Sequence, residues 1–370
     1  MPGPAAIPAL TLQHAQDAAF LWAQRGREAS GPLWDQARLG RHDRRLWAHL
    51  DGLAAAGPLG WEIARAEAHV EGGAGAWFAL CALAAATDRL EAAAAEAVAA
   101  GADGERGLSG ALAWAEPEAT GGSVRRWLVS ADAARRRAAV AAHSHHRADP
   151  GPRLGALLDD PDAGVRARAA RLVGEVGRRD ALPALLDRLP APWPAWAAVL
   201  LGDKGAAEAL AEAAWRDPSH PFAGVALDAL AAALGPAARP HLSRLLARPD
   251  GRALALSRVG ALGDQAVLPW LVERMRDPAD APAAGAAFRD LAAVEVFDAG
   301  LFTEDPSRLG EAFADLDPQP LPIADRVAAW TPGGPPFRSQ RALMLLALRR
   351  AAQGGALPRW RARVVAPAWA

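Results

Sequence analysis

Three histidines, His143, His145 and His146, fall within four residues of one another, and Asp149 follows them. Imidazole and carboxylate are the groups that ligate zinc or iron, and His143 and His146, three apart, share one helix face. No third ligand at a suitable spacing joins them. The stretch therefore reads as a polar helix with solvated imidazoles, and no metal is expected. His14 and Asp17 repeat the i, i+3 spacing, with Asp17 placed to support the first turn of a helix. Nucleophile chemistry finds no better footing. Gly107-Leu108-Ser109-Gly110-Ala111 departs from the nucleophile elbow at Ala111, where that turn requires Gly. The glycines of "GGAGAW" (72–77) have neither the spacing nor the Lys of a phosphate loop.

The elements that would position any such residue are helices in repeated pairs. In "DDPDAGVRARAARLVGEVGRRDALPALLDRL" (159–189) Asp160 precedes Pro161, the order of an N-cap and a first helical residue. Val165, Ala169, Leu172, Val173 and Val176 recur at helical spacing, with Arg166, Arg168 and Arg171 opposite. Gly177 is placed to end that helix in a left-handed turn. Asp180 then caps a second helix whose apolar stripe is Leu182, Leu185, Leu186 and Leu189, with Pro183 in its first turn. The stretch 248–278 aligns on this one without a gap, pairing Gly177 with Gly263, Leu182 with Leu268, Pro183 with Pro269 and Leu185 with Leu271. Weaker copies occupy 130–158, 191–215 and 217–246. Marker positions Asp132, Asp162, Pro192, Pro218, Pro249 and Pro278 lie 26 to 31 residues apart. A period of about 30 with two helices per period predicts an all-α chain, an α-solenoid in which each hairpin buries its apolar face against the next. Leu182, Leu185, Leu268 and Leu271 are its expected buried contacts.

The 370 residues carry a net charge of −1, with one Lys, 40 Arg, no Tyr and no Asn. The missing residues have AT-rich codons, which points to a GC-rich bacterial genome and makes the Arg content partly mutational. A near-neutral balance also argues against a nucleic-acid partner. The charge is unevenly spread: Val124–Asp180 holds 12 Arg against 7 acids, Glu295–Asp317 holds 7 acids and one Arg, and Phe337–Ala370 holds 7 Arg and no acid. The acidic stretch is expected to fold onto the basic tail. Lone Cys81, within "WFALCALAAA", reads as a small core residue. The first twenty residues lack the pattern of a signal peptide, and the longest apolar run, near Ala74–Ala86, is too short to span a bilayer. A cytoplasmic protein is expected.

The repeat resembles the HEAT-like pattern of bacterial solenoids, V-R-x-x-A-x-x-x-x-G-x-x-G followed by A-x-P-x-L. More narrowly, "HAQDAAFLWAQR", "RHDRRLWAHLDGL", "GALAW", "AAVLLGD", "GALGDQAVLPWLVERM" and "QRALMLLAL" are similar to an uncharacterised proteobacterial family of HEAT-like proteins, over nearly the whole chain. The resemblance implies a helical-repeat fold and a genomic context, often near type VI secretion genes, with no assigned activity. This chain has a shortened segment, "TPGGPPFRS" (331–339), where the family carries a longer aromatic one. Metal-dependent HEAT-repeat hydroxylases carry His-Glu dipeptides, and none of the nine His here precedes Glu. HEAT-like DNA glycosylases supply the enzymatic alternative, in which Arg188, Trp270 and Glu273 would provide cation, aromatic ring and carboxylate.

Among the 14 Trp, Trp22, Trp47, Trp61, Trp77, Trp114 and Trp127 lie in apolar helical stripes and are expected in the core. Trp270 does not. It aligns with Ala184, Ala209 and Arg244, off the Leu stripe, on the helices that line the inner surface of HEAT-type solenoids. Asp187, Glu212 and Glu273 form a parallel acidic row, flanked by Arg188, Arg248 and Arg274. An aromatic anchor between charges is the composition of a protein-binding hot spot. The sequence thus predicts a helical N-terminal cap domain (1–122, with a seam at 116–122), about five HEAT-like hairpins (123–294), and an irregular segment with a last helix (295–370). The expected role is a non-enzymatic scaffold or adaptor that binds another protein along the concave face, without cofactor.

Overall fold

The computed structural model describes residues 6–29, 34–294, 300–303, 321–322, 324–331 and 340–354. The chain is all-α, and its two compact units divide in sequence between Val176 and Gly177. The acidic stretch 295–317 and the shortened segment 331–339 lie almost entirely outside the described residues, as does the pairing expected between acidic stretch and basic tail.

In the first unit the helices are α1 (Pro8–Glu28), α2 (Gln36–Ala55), α3 (Pro58–Glu71), α4 (Ala74–Ala85), α5 (Leu90–Ala99), α6 (Ala102–Trp114), α7 (Pro117–Trp127), α8 (Ala133–His146), α9 (Arg153–Leu157) and α10 (Ala163–Val176). Helix α4 is apolar all round, as a helix covered on every side must be. It packs on α1, α3, α5 and α6, with Trp77, Phe78, Leu80 and Cys81 fully enclosed. Burial pushes the Cys81 thiol up to about 12, so it stays an inert core residue. Gly107 sets the approach of α6: a Cβ there would stand 2.5 Å from the Trp77 Cβ. Trp47, Trp77, Trp114 and Trp127 are buried as expected. Trp22 is half-buried and stacks on Phe78 with ring centroids 4.8 Å apart. Trp61 departs from expectation: it is half-buried, with the Arg89 guanidinium 4.9 Å from its ring, off the stripe of Gly60, Ala64 and Ala68 that α3 buries.

Hairpin spacing starts earlier than the sequence pattern suggests. Helices α4, α6, α8 and α10 begin 28 to 31 residues apart, and each packs on the next. The stretch read as a seam at 116–122 lies mostly within helix α7. The turn before α10 also differs from the reading above. Asp162, and not Asp160, caps the helix, accepting the Val165 N–H at 2.8 Å. Asp160 is buried, accepts the Asp162 N–H, and receives both arms of Arg136 at 2.8 and 2.9 Å. A carboxylate that meets a guanidinium from the preceding hairpin gains more than one that only caps. Arg136 and Arg166, thirty residues apart, each reach back to the carbonyls six and five residues earlier, at 2.7 and 3.0 Å in both cases. This gives the Arg of the V-R motif a repeated structural task.

The second unit continues with a 3-10 turn (Arg179–Ala181), α11 (Leu182–Leu186), α12 (Pro192–Leu200), α13 (Ala207–Arg216), α14 (Pro221–Leu234), α15 (Arg239–Leu246), α16 (Pro249–Arg258), α17 (Leu268–Arg274), α18 (Ala281–Ala292), α19 (Ala324–Ala329) and α20 (Gln340–Ala352). A two-residue antiparallel pair, β1 (Phe302–Thr303) with β2 (Leu321–Pro322), is the only strand pairing among the described residues. Gly177 and Gly263 take left-handed φ of +75° and +71°, the turn the aligned glycines require. Asp180 is not a cap: it lies inside the 3-10 turn, and its carboxylate is held by Arg178 at 2.7 Å. Leu185 and Leu271 are fully buried. Leu182 and Leu268 are only half-buried, because each is the first α-helical residue after a 3-10 turn, where one flank stays in water. First helices α12, α14, α16 and α18 pack in succession, and α20 lies across α12 and α14, with Arg349 donating to the Ala261 carbonyl at 2.6 Å.

Among the described residues one stretch, Pro221–Leu246, is long and apolar enough to cross a membrane by length and composition. Just over half of it is buried, and Gly235-Pro236 breaks it into α14, a 3-10 turn and α15, the profile of a core segment.

Candidate partner-binding face

The residues singled out by the repeat alignment sit on the second helices of the second unit. Trp270 lies in α17 with 39% of its surface exposed, and makes no hydrogen bond, ring stack or cation–π contact among the described residues. An exposed indole offers apolar area and an N–H donor together. Its register explains the exposure: α17 turns Leu271 and Met275 inward, four residues apart, and so carries Trp270 outward.

The charges predicted to form an acidic row and a basic edge do not pair with one another but with other neighbours. Glu212 on α13 meets Arg244 on α15 at 3.2 Å. Glu273 faces Arg276 at 3.7 Å, and Arg276 in turn reaches Asp325 at 2.9 Å. Arg274 turns towards Asp280 at 3.8 Å, a carboxylate already held by Arg252 at 2.8 Å. Arg252 on Asp280 repeats the Arg136–Asp160 arrangement, which marks this pair as a fold contact. Arg248 donates to the Trp215 carbonyl at 2.6 Å and to Asp250 at 2.9 Å. Arg188, just past α11, donates back to the Ala184 carbonyl in that helix, and Asp187 is exposed at the end of α11.

Glu212, Arg244 and Arg248 are brought together by Trp215, a residue the repeat alignment did not select. The Arg244 and Arg248 guanidinium carbons stand 3.9 and 4.9 Å from its ring centroid. Its position three residues after Glu212, on the same helix face, was the available signal. Trp270 belongs to a separate locus on α17. Arg188, in the turn after α11, is three hairpins from Trp270 and Glu273 in the chain.

The histidines of α8 diverge. His143 donates from Nδ1 to the Ala148 carbonyl and His146 from Nε2 to the Leu112 carbonyl, both at 2.9 Å, while His145 Nε2 lies 3.3 Å from the Ser109 hydroxyl. Burial, with Arg171, His146, Arg147 and Arg168 adding to it, pushes His145 down to about 3. The rings are engaged by the fold and are not solvated as the sequence suggested. His14 gains a neighbour the sequence did not supply, His49 of α2, with Nδ1 atoms 3.1 Å apart. Asp17 is in the middle of α1, with its carboxylate 3.6 Å from His49, and supports no first turn. No set of three metal-ligating side chains converges among the described residues. A shallow cavity of about 360 Å3 opens on α3, lined by Trp61, Glu62, Arg65, Ala66 and His69.

No family model, curated protein or solved structure matches the chain.

Proposed function

We propose that the chain is a non-enzymatic, protein-binding scaffold that works in the cytoplasm and uses Trp270 as the anchor of its binding face. The observation that carries this reading is an exposed indole without an intramolecular partner, with Glu273 and Arg276 ion-paired beside it. An apolar anchor beside self-neutralised charges suits a folded protein or a helix of mixed charge. It suits a phosphate backbone poorly, because the carboxylates of Glu212 and Glu273 on these second helices would repel it. The HEAT-like resemblance and its genomic context suggest an accessory or effector-loading role in type VI secretion. The test is a photo-crosslinking amino acid at position 270, with a second at exposed Ser219 as control. The reading requires one dominant adduct from position 270 in a proteobacterial host that is absent from position 219. Identical adduct patterns from both positions would remove its basis.

A further inference from the structure

Helices α1 and α2 are tied to each other at two places, both far in the chain from Trp270. At one, Arg25 of α1 holds buried Asp43 of α2 at 2.6 Å. At the other, His14 of α1 faces His49 of α2 with the Nδ1 atoms 3.1 Å apart. Two imidazole nitrogens that meet this closely share something between them, a proton or a cation. Gly52 of α2 gives the first ring its seat: a Cβ there would stand 2.6 Å from the His14 Cδ2 and Nε2 atoms. Glycine inside a helix is destabilising relative to alanine. Here it makes room for an imidazole.

The spacing fits a shared metal ion. Zinc–imidazole bonds of about 2.0–2.1 Å in a tetrahedral shell place two ligand nitrogens about 3.3 Å apart. Ligation through Nδ1 requires a neutral ring with its proton on Nε2. Burial lowers the pKa of His49, with Asp17 opposing and with His14 and Arg45 adding to the shift, so this ring is neutral at ordinary pH. The Asp17 carboxylate, one turn after His14, lies 3.6 Å from the same His49 Nδ1. It sets a negative charge beside the two nitrogens and offsets Arg45, one turn before His49. The Asp17 side chain is 41% exposed and that of His49 23%, which leaves the pair a path to solvent.

We propose that His14 and His49 clamp a zinc ion between α1 and α2, with water completing the shell and Asp17 accepting a hydrogen bond from one of those waters. Two side chains supply the protein ligands, so the ion exchanges with solvent and acts as a removable brace on this helix pair. The test is calorimetric titration of the metal-free protein with Zn2+, with Mg2+ as control, beside thermal melts in zinc and in EDTA. Wild type should take up one zinc at this site, and its melting temperature should rise by roughly 3–6 °C at about ten times Kd. Magnesium, which prefers oxygen ligands, should do neither. His49→Ala should weaken zinc binding at least about tenfold. Gly52→Ala is the sharper variant, because it keeps every ligand and favours the helix while pushing the His14 ring off its seat. It should melt no lower than wild type in EDTA, yet bind zinc at least about tenfold more weakly. His241→Ala, on α15, should bind as wild type does. Binding should weaken as pH falls below ~6, where protons compete for both imidazoles. Equal zinc responses in wild type, His49→Ala and Gly52→Ala would place the ion on other histidines and overturn the proposal. No zinc response at all would overturn it too, leaving the pair joined by its own hydrogen bond.

Discussion

The Glu175 cluster of the first unit is sunk, and the Glu212–Arg244 pair of the second is displayed. On α10 of the first, Glu175 is 1% exposed and is enclosed by Arg147, Arg171 and Ser144. On α13 and α15 of the second, Glu212 and Arg244 keep 37% and 47% of their side-chain surfaces in water beside Trp215. Both sets use one hairpin period and the same residue types, so the difference lies in which helix of the hairpin carries them. First helices face neighbours on two sides, and a carboxylate they bury as deeply as Glu175 is matched by cations. Second helices leave a flank in water, where ion pairs contribute little and an aromatic ring remains available.

Breaking the buried set should have the largest effect. Glu175→Ala strands half-buried Arg147 without its carboxylate, for an expected loss of about 3–5 kcal/mol in chemical denaturation. A loss under ~1 kcal/mol would mean that the first unit's charges are as loosely held as the second's. Apolar packing sets the next scale. Leu185→Ala, at a fully buried position, should cost roughly 2–5 kcal/mol by transfer and cavity terms. Half-buried Leu182→Ala should cost clearly less, and equal losses would contradict the exposure assigned to the entry of α11.

Acid sharpens the contrast. His145 has a folded pKa of about 3, below its unfolded value, so the unfolded chain takes up a proton that the folded one refuses. The stability it contributes is present above the unfolded histidine pKa and is lost as pH falls from there towards 3. Between pH 7 and pH 5 the loss is on the order of 1–2 kcal/mol. His145→Gln should flatten that slope in melts recorded across the window, and an unchanged slope would place the titration elsewhere. The smallest effect belongs to the displayed set: Arg244→Ala should change stability by less than about 1 kcal/mol, with salt weakening even that.

Where the apolar stripe has a polar face to set it off, the sequence reads clearly. The 159–189 hairpin, the left-handed glycines at 177 and 263 and buried Leu185 follow from it. The earlier hairpin spacing does not, because α4 is apolar on every side and offers no face from which to set a register. Asp160 and Asp180 look like caps locally. Both are claimed by arginines: Asp160 by Arg136 of the preceding hairpin, a long-range pairing that leaves no periodic trace, and Asp180 by Arg178 two residues before it in the same turn. Trp270 was visible as the residue off its stripe. Trp215 was hidden because its arginines come from the next two hairpins, 29 and 33 residues away in the chain.

The central claim, that Trp270 is a binding anchor and not a packing residue, is tested most directly by one variant measured twice. Trp270→Ala should weaken binding of the crosslinked partner by about 2 kcal/mol, near thirtyfold in Kd, with a melting temperature within a degree or so of wild type. A melting temperature lowered by several degrees with undiminished affinity of the folded fraction would contradict it.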